Sequence, residues 1–240
     1  PHDVASANKP NQGGLRMMLS SSLNGLHATQ HTTGRGFTPL CRQPDVETEP
    51  AHMMVDTIAI NRDLNRFDGH GEIWLFGYGS LIWKCDFSFL ERRPAHIRNW
   101  SRRFWQGSHD HRGTPEAPGR VATLIADPGA RCGGMAYLIT PEVFDHLDHR
   151  EKNGYLRESV DIEFEDGAAH GLVYIANPAN AAYLGEASAQ DIARHILSAQ
   201  GPSGLNLDYF RHLADALRVM GEKDPHIEAI ERELRLIQSA

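Results

Sequence analysis

The sequence predicts an α+β domain, and three observations carry that reading. Short apolar, β-branched runs crowd the middle of the chain, capped amphipathic stretches mostly follow them, and the opening segment shows neither period. The domain starts at Ile73-Trp74-Leu75-Phe76, an apolar run stopped by Gly77 and Gly79, as expected of a buried strand entering a tight turn. Further strands are expected over residues 121–125, 135–139, 160–164 and 172–175. The run from Val160 alternates in polarity, and Glu165-Asp166-Gly167 supplies the turn after it. Together they read as one antiparallel meander.

The first helix is expected from Thr140 as N-cap and Pro141 as first residue, with Phe144 and Leu147 on its apolar stripe and Asn153-Gly154 as its stop. Ser188 with Asp191 marks a second helix start, and Gly201-Pro202 a stop. Asn206 opens a third helix, with Phe210, Leu213, Leu217 and Met220 on one face. Asp224-Pro225 opens a fourth, carrying Ile227, Ile230, Leu234 and Ile237.

Residues 1–72 are rich in Ser, Thr, Asn, Gly and His without helical or strand spacing, and are expected to be a low-complexity extension. Through Pro44 the only acidic residue is Asp3, against Lys9, Arg16, Arg35 and Arg42, a bias shared with targeting segments. No amphipathic Arg-rich helix accompanies it, so a tag, a fragment or a start at Met53 or Met54 reads equally well. The domain is expected over residues 73–238.

Composition narrows the function classes. The 240 residues are 40% hydrophobic and 23% charged, enough for one sizeable core. No stretch approaches ~20 consecutive apolar residues, so no membrane role is expected. A net charge of −7, from 24 basic and 31 acidic residues, argues against nucleic acid and for a small-molecule partner. Cys41, Cys85 and Cys132 offer neither a disulfide framework nor CxxC spacing, which fits the reducing cytoplasm.

Several residues break the structural pattern. Phe144, Leu147 and Glu151 stand at i, i+3 and i+7, so Glu151 falls where an apolar residue is due. Burial there raises a carboxyl pKa toward the range useful for acid/base work. On periodicity alone an ion-paired helix end, with Arg150, Lys152 or Arg157, is the better reading, and Asp148 is a rival carboxylate. Gly77-Tyr78-Gly79-Ser80 lets the backbone approach a ligand closely, although a plain strand-to-loop turn has the same composition. It is no dinucleotide fingerprint, since Ile82 replaces the third glycine. Ser80 likewise lacks the elbow of a serine hydrolase.

The block from Ser101 to Gly113 is dense in charged and aromatic residues and suits either an anion-binding pocket or a solvated edge strand. His109 with His111, and His146 with His149, have spacings that can hold metal. Fourteen histidines make such pairs common by chance, and no metal site is expected.

Taken in order, Phe76-Gly77-Tyr78-Gly79-Ser80-Leu81-Ile82-Trp83-Lys84, the block from Ser101 to Gly113, Pro118-Gly119-Arg120-Val121, Asp148-His149-Arg150-Glu151-Lys152-Asn153-Gly154-Tyr155 and Gly201-Pro202-Ser203-Gly204 resemble the ChaC family of glutathione-specific γ-glutamylcyclotransferases. The resemblance runs from about Ile73 to Leu236 and reverses the preference at Glu151. It implies a small, mostly antiparallel β-barrel surrounded by helices, with no cofactor and no metal. It also implies cleavage of glutathione to 5-oxoproline and Cys-Gly, with Glu151 as general base and acid. By the same resemblance Tyr78, Gly79, Ser80 and Leu81 hold the γ-glutamyl group, Tyr209 lines the pocket, and Arg103 and Glu142 stand near it. The sequence departs from the usual pattern at His109, His149 and Asn153, which bear on loop detail and on the Cys-Gly half. Other γ-glutamyl substrates, or a binding module without turnover, remain open; the oligomeric state is not legible.

Overall fold

Alternating polarity builds the wall of a closed five-stranded barrel. The computed structural model describes residues 57–64, 71–176 and 178–240. Two long strands, β2 (Glu91–Ser108) and β3 (Gly119–Ile139), pair antiparallel from Glu91↔Leu138 to Ser108↔Gly119. β3 unites the two short strands expected over 121–125 and 135–139. The turn-forming run Asp127-Pro128-Gly129 between them is a bulge, not a loop. There the register shifts between Arg98 and Trp100, Asn99 takes φ 64°, and its side chain accepts the Gly129 amide at 2.9 Å.

Three shorter strands complete the wall: β1 (Ile73–Gly77), β4 (Tyr155–Glu163) and β5 (Ala168–Ala176), in the order β1-β3-β2-β4-β5. The expected antiparallel meander is corrected in its order, since β1 pairs with β3 and β2 with β4, each skipping a strand, and in its closure. β1 and β5 pair parallel, Trp74↔Gly171 through Phe76↔Val173, which closes the barrel across strands no hairpin can join. Leu75, Ile97, Phe104, Ile139, Ile162 and Val173 retain no accessible surface.

The helices follow the expected signals, with shifts at their ends. α2 (Val143–Arg150) starts two residues later than expected, because Thr140 and Pro141 form a preliminary turn with their carbonyls bound by Val143 and Phe144 amides. α3 (Ala189–Ser198) and α4 (Asn206–Val219) pack on the barrel through Ile192, Ile196, Phe210 and Leu213, and α5 (Pro225–Ser239) lies against α3 with Ile230 and Leu234 buried in the same core. Gly201-Pro202-Ser203-Gly204 turns between two-residue strands β6 (Gln200–Gly201) and β7 (Gly204–Leu205). Among the described residues no helix is long and apolar enough to cross a membrane.

The Ser188 hydroxyl accepts the Asp191 amide at 3.1 Å and caps α3. Ser188→Ala is expected to cost about 1 kcal/mol, read as a lowered thermal midpoint.

One boundary differs from expectation. Residues 58–64, assigned by composition to the extension, form a helix, α1 (Ile58–Leu64), hydrogen-bonded to the start of β4. A seven-residue helix held by polar contacts carries no apolar period from which it could be read. The targeting-like bias through residue 44, Cys41, and the Met53 and Met54 starts lie outside the described residues.

Candidate active site

β1 runs buried to Gly77, and the chain then folds into a single 3-10 turn, Ser80–Ile82. Side chains behind it hold this loop in place. The Tyr78 carbonyl accepts from Arg102 Nε at 2.8 Å, the Tyr78 hydroxyl donates to the Tyr174 carbonyl at 2.9 Å, and the Leu81 carbonyl accepts from the Tyr137 hydroxyl at 2.6 Å. With Tyr78 and Leu81 so committed, the loop turns its remaining edge toward a cavity. A Cβ at Gly79 would stand 3.1 Å from the Tyr209 hydroxyl, so glycine here lets that hydroxyl come close. The same hydroxyl accepts the Ala122 amide at 3.3 Å, and burial pushes its pKa up to about 12.

Glu151 is the first residue beyond α2. Its amide donates to the Leu147 carbonyl at 2.8 Å, its carbonyl accepts from the Tyr155 amide at 3.3 Å, and Gly154 at φ +87° turns the chain into β4. The expected apolar register is therefore corrected: the buried stripe is Phe144, Leu147 and Asp148, and Glu151 lies past it on the exit turn. Asp148, the rival carboxylate, is fully engaged. Arg157 Nη2 donates to one oxygen at 2.8 Å and the Tyr174 hydroxyl to the other at 2.6 Å.

The Glu151 side chain is 18% accessible and lies between two adjoining cavities. The smaller, of about 60 Å³, is walled by residues 76–81 with Ala122, Tyr155, Tyr174 and Tyr209. The larger, of about 150 Å³, carries the polar groups of Lys84, His109, His111, Arg112, Arg150 and Asn153. Ser80, Glu151, Tyr155 and Tyr209 border both. Burial pushes the Glu151 carboxyl above the ordinary carboxylate range. Arg150, whose Nε lies 3.2 Å away, opposes that rise, while Asp86 and Asp110 add to it. Arg150 only partly neutralises Glu151, because its other nitrogens are given to Asp86 at 2.6 Å and to the Ser80 hydroxyl at 2.7 Å.

Six sequence-derived residues thus meet: Tyr78, Gly79, Ser80, Leu81, Glu151 and Tyr209. Arg103 and Glu142 do not line either cavity. Neighbours on a strand face opposite sides, so Arg102 turns inward to the Tyr78 carbonyl while Arg103 lies over Trp105 with its guanidinium 3.6 Å from Asp127. Glu142 is exposed at the N-cap of α2, and a hydrogen bond from Thr140 lowers its carboxyl pKa. Tyr155, Tyr174, Ala122 and Arg150 were missed. Tyr155 and Tyr174 sit in strands where tyrosine reads as ordinary wall, and Arg150 reads as a helix-end cation. His109 and His111 line the larger cavity, but among the described residues no three His, Cys, Asp or Glu side chains gather as metal ligands do.

Comparison with known proteins places the chain in a family. Residues 73–236 match the family described as ChaC-like protein. The Arabidopsis thaliana protein named γ-glutamylcyclotransferase 2-3 is 44% identical over 180 residues, covering 70% of this chain and 90% of that one. The human glutathione-specific γ-glutamylcyclotransferase 1 is 40% identical over 177 residues, covering 69% and 80%. A crystal structure of the yeast γ-glutamyl cyclotransferase specific to glutathione superimposes with a TM-score of 0.64 at 31% identity, covering 69% of this chain and 96% of that one.

Proposed function

Since this chain belongs to the ChaC-like family, we propose that it cleaves glutathione by cyclising the γ-glutamyl group, releasing 5-oxoproline and Cys-Gly. The observation that carries this reading is Glu151 standing between a small tyrosine-walled cavity and a larger polar one. A γ-glutamyl peptide has that division: a compact head that must fold on itself, and a leaving amine with a charged tail.

The head occupies the smaller cavity against the loop at Tyr78, Gly79, Ser80 and Leu81, beneath the Tyr209 hydroxyl. The Cys-Gly half lies in the larger cavity, where Lys84 and Arg112 supply positive charge for its carboxylate. Nucleophile and electrophile belong to one molecule, so holding the α-amine near the γ-carbonyl removes several kcal/mol of barrier.

The remaining need is a proton carrier. Ionised Glu151 takes a proton from the α-ammonium, and the freed amine attacks the γ-carbonyl carbon to close the five-membered ring. Protonated Glu151 then gives that proton to the cysteinyl nitrogen as its bond to the carbonyl carbon breaks, and takes the second amine proton from the ring nitrogen, which the released Cys-Gly amine carries away as an ammonium. The bond changes balance without added water or an electron acceptor, so no step calls on a cofactor. A carboxyl pushed up by burial is suited to both halves. We assign the reaction to the cytoplasm, in keeping with the free thiols of Cys85 and Cys132.

Incubation of the protein with glutathione is expected to release 5-oxoproline and Cys-Gly in equal amounts, and faster than γ-glutamyl-alanine releases 5-oxoproline and alanine. A preference for γ-glutamyl-alanine would move the assignment to other γ-glutamyl substrates. Binding of glutathione without product would leave a binding module.

A further inference from the structure

Residues 57–64 precede the family-matched segment, yet they hold the backbone that carries Glu151. The Thr57 amide and hydroxyl both donate to the Lys152 carbonyl at 3.1 Å, and the hydroxyl stands 3.5 Å from the Glu151 carbonyl. Asn61, with no accessible surface, pairs with β4 as another strand would. Its Nδ2 donates to the Tyr155 carbonyl at 2.9 Å, and its Oδ1 accepts the Arg157 amide at 2.9 Å. The pairing of β2 with β4 reaches only Glu163 and Ile162, so Asn61 binds a stretch of β4 beyond that ladder. Thr57 therefore grips the exit turn at its start and Asn61 at its end. Between them Asn180 Nδ2 donates to the Asn153 and Gly154 carbonyls at 3.2 and 2.9 Å.

α1 adds little to the apolar core. Asn61 is its buried residue, whereas Ile60 and Leu64 are 39% and 55% exposed. What it buries is its polar grip on the turn.

We propose that Thr57 and Asn61 are positioning residues for Glu151: this segment fixes the turn that holds the carboxylate between the two cavities, and so forms part of the working catalytic unit. The proposal rests on reading Glu151 as the proton carrier, and its test separates the two.

In the full chain, Asn61→Ala removes the side-chain amide that bonds the Tyr155 carbonyl and the Arg157 amide, and Thr57→Val removes the hydroxyl grip on Lys152. Arg62→Ala is the control from the same helix as Asn61, removing only the exposed 3.1 Å ion pair that Arg62 makes with Asp145 of α2. Asn61→Ala is expected to lower kcat for glutathione by about 10- to 100-fold with KM within about threefold, since small misplacements of a reacting group act at that scale. Thr57→Val acts in the same direction and Arg62→Ala in neither quantity. Amide exchange gives a readout independent of turnover. The Tyr155 amide, bonded to the Glu151 carbonyl, should exchange faster in Asn61→Ala while the Leu75 amide in the barrel is unchanged. A variant that melts earlier but keeps wild-type kcat below its midpoint overturns the proposal, as does unaltered exchange at Tyr155. Wild-type protein inert toward glutathione refutes the proposed reaction instead, and the exchange measurement still decides whether α1 holds the turn.

Discussion

Glu151→Gln is expected to lower kcat/KM for glutathione by about 10²- to 10⁴-fold, the range lost with a positioned acid/base group, while the chain stays folded. Glutamine matches the carboxyl in shape but can neither accept the ammonium proton nor return it. Arg150 remains held by Asp86 and Ser80, so the loop keeps its tether. The proposed mechanism needs Glu151 ionised in the free enzyme, and burial raises its pKa. Activity should therefore fall on the acid side at a pH higher than an ordinary carboxylate would give. Stability responds in the opposite sense. With the folded pKa above the unfolded one, the contribution is fully present below the unfolded pKa and lost as pH rises through the folded pKa. Glutamine stays neutral throughout, so the melting temperature of the variant should gain on wild type as pH rises through that window. Equal turnover by the two proteins would remove Glu151 from the mechanism.

Arg102→Met is expected to be the most damaging structural substitution, costing about 3–5 kcal/mol in denaturant unfolding, as removal of one partner from a buried ion pair does. The Arg102 side chain is 1% accessible and joins four parts of the fold. From β2 it donates to the Tyr78 carbonyl at 2.8 Å, to Asp224 at 2.8 Å, and to the Gly133 carbonyl. Methionine fills similar space but takes the guanidinium from these acceptors and leaves Asp224 without its cation. Asp224 is also the N-cap of α5, accepting the His226 and Ile227 amides at 3.1 and 3.2 Å. Arg102→Lys should recover only part of the loss, because an ammonium cannot span three acceptors as the planar fork does. An unfolding midpoint unchanged in Arg102→Met would show that the loop is held by other means.

The sequence made some of this legible and concealed the rest for identifiable reasons. Local chemistry was readable: Ser188 and Asp224-Pro225 announce their helices, and Gly77-Tyr78-Gly79 announces a turn after a buried strand. Long-range pairing was not. Nothing in residues 73–77 specifies a parallel partner in β5, and the bulge at Asn99 and Gly129 imitates a loop. Arg102 and Arg103 differ by one residue of register in a bulged strand, and only packing decides which turns inward. Periodicity reached Glu151 by an imperfect route, since the buried helical position belongs to Asp148 and Glu151 lies in the turn beyond. The chemical assignment came from the ordered motifs, and the cavities on either side of the carboxylate are what support it.

The parallel seam between β1 and β5 also bears on how the protein is made. The Tyr78 hydroxyl meets the Tyr174 carbonyl across 96 residues of chain, and Tyr209, shared by both cavities, comes later still. Pairings this distant in sequence pay loop-closure entropy before contact rewards them, so they form late and slowly. A chain emerging from the ribosome can pair β1 with β3, but the other edge of β1 stays open until β5 exists, and both cavities need Tyr209 for their walls. The assembled site therefore depends on residues synthesised late, and a chain whose Tyr209 has not reached the barrel lacks a wall of both cavities.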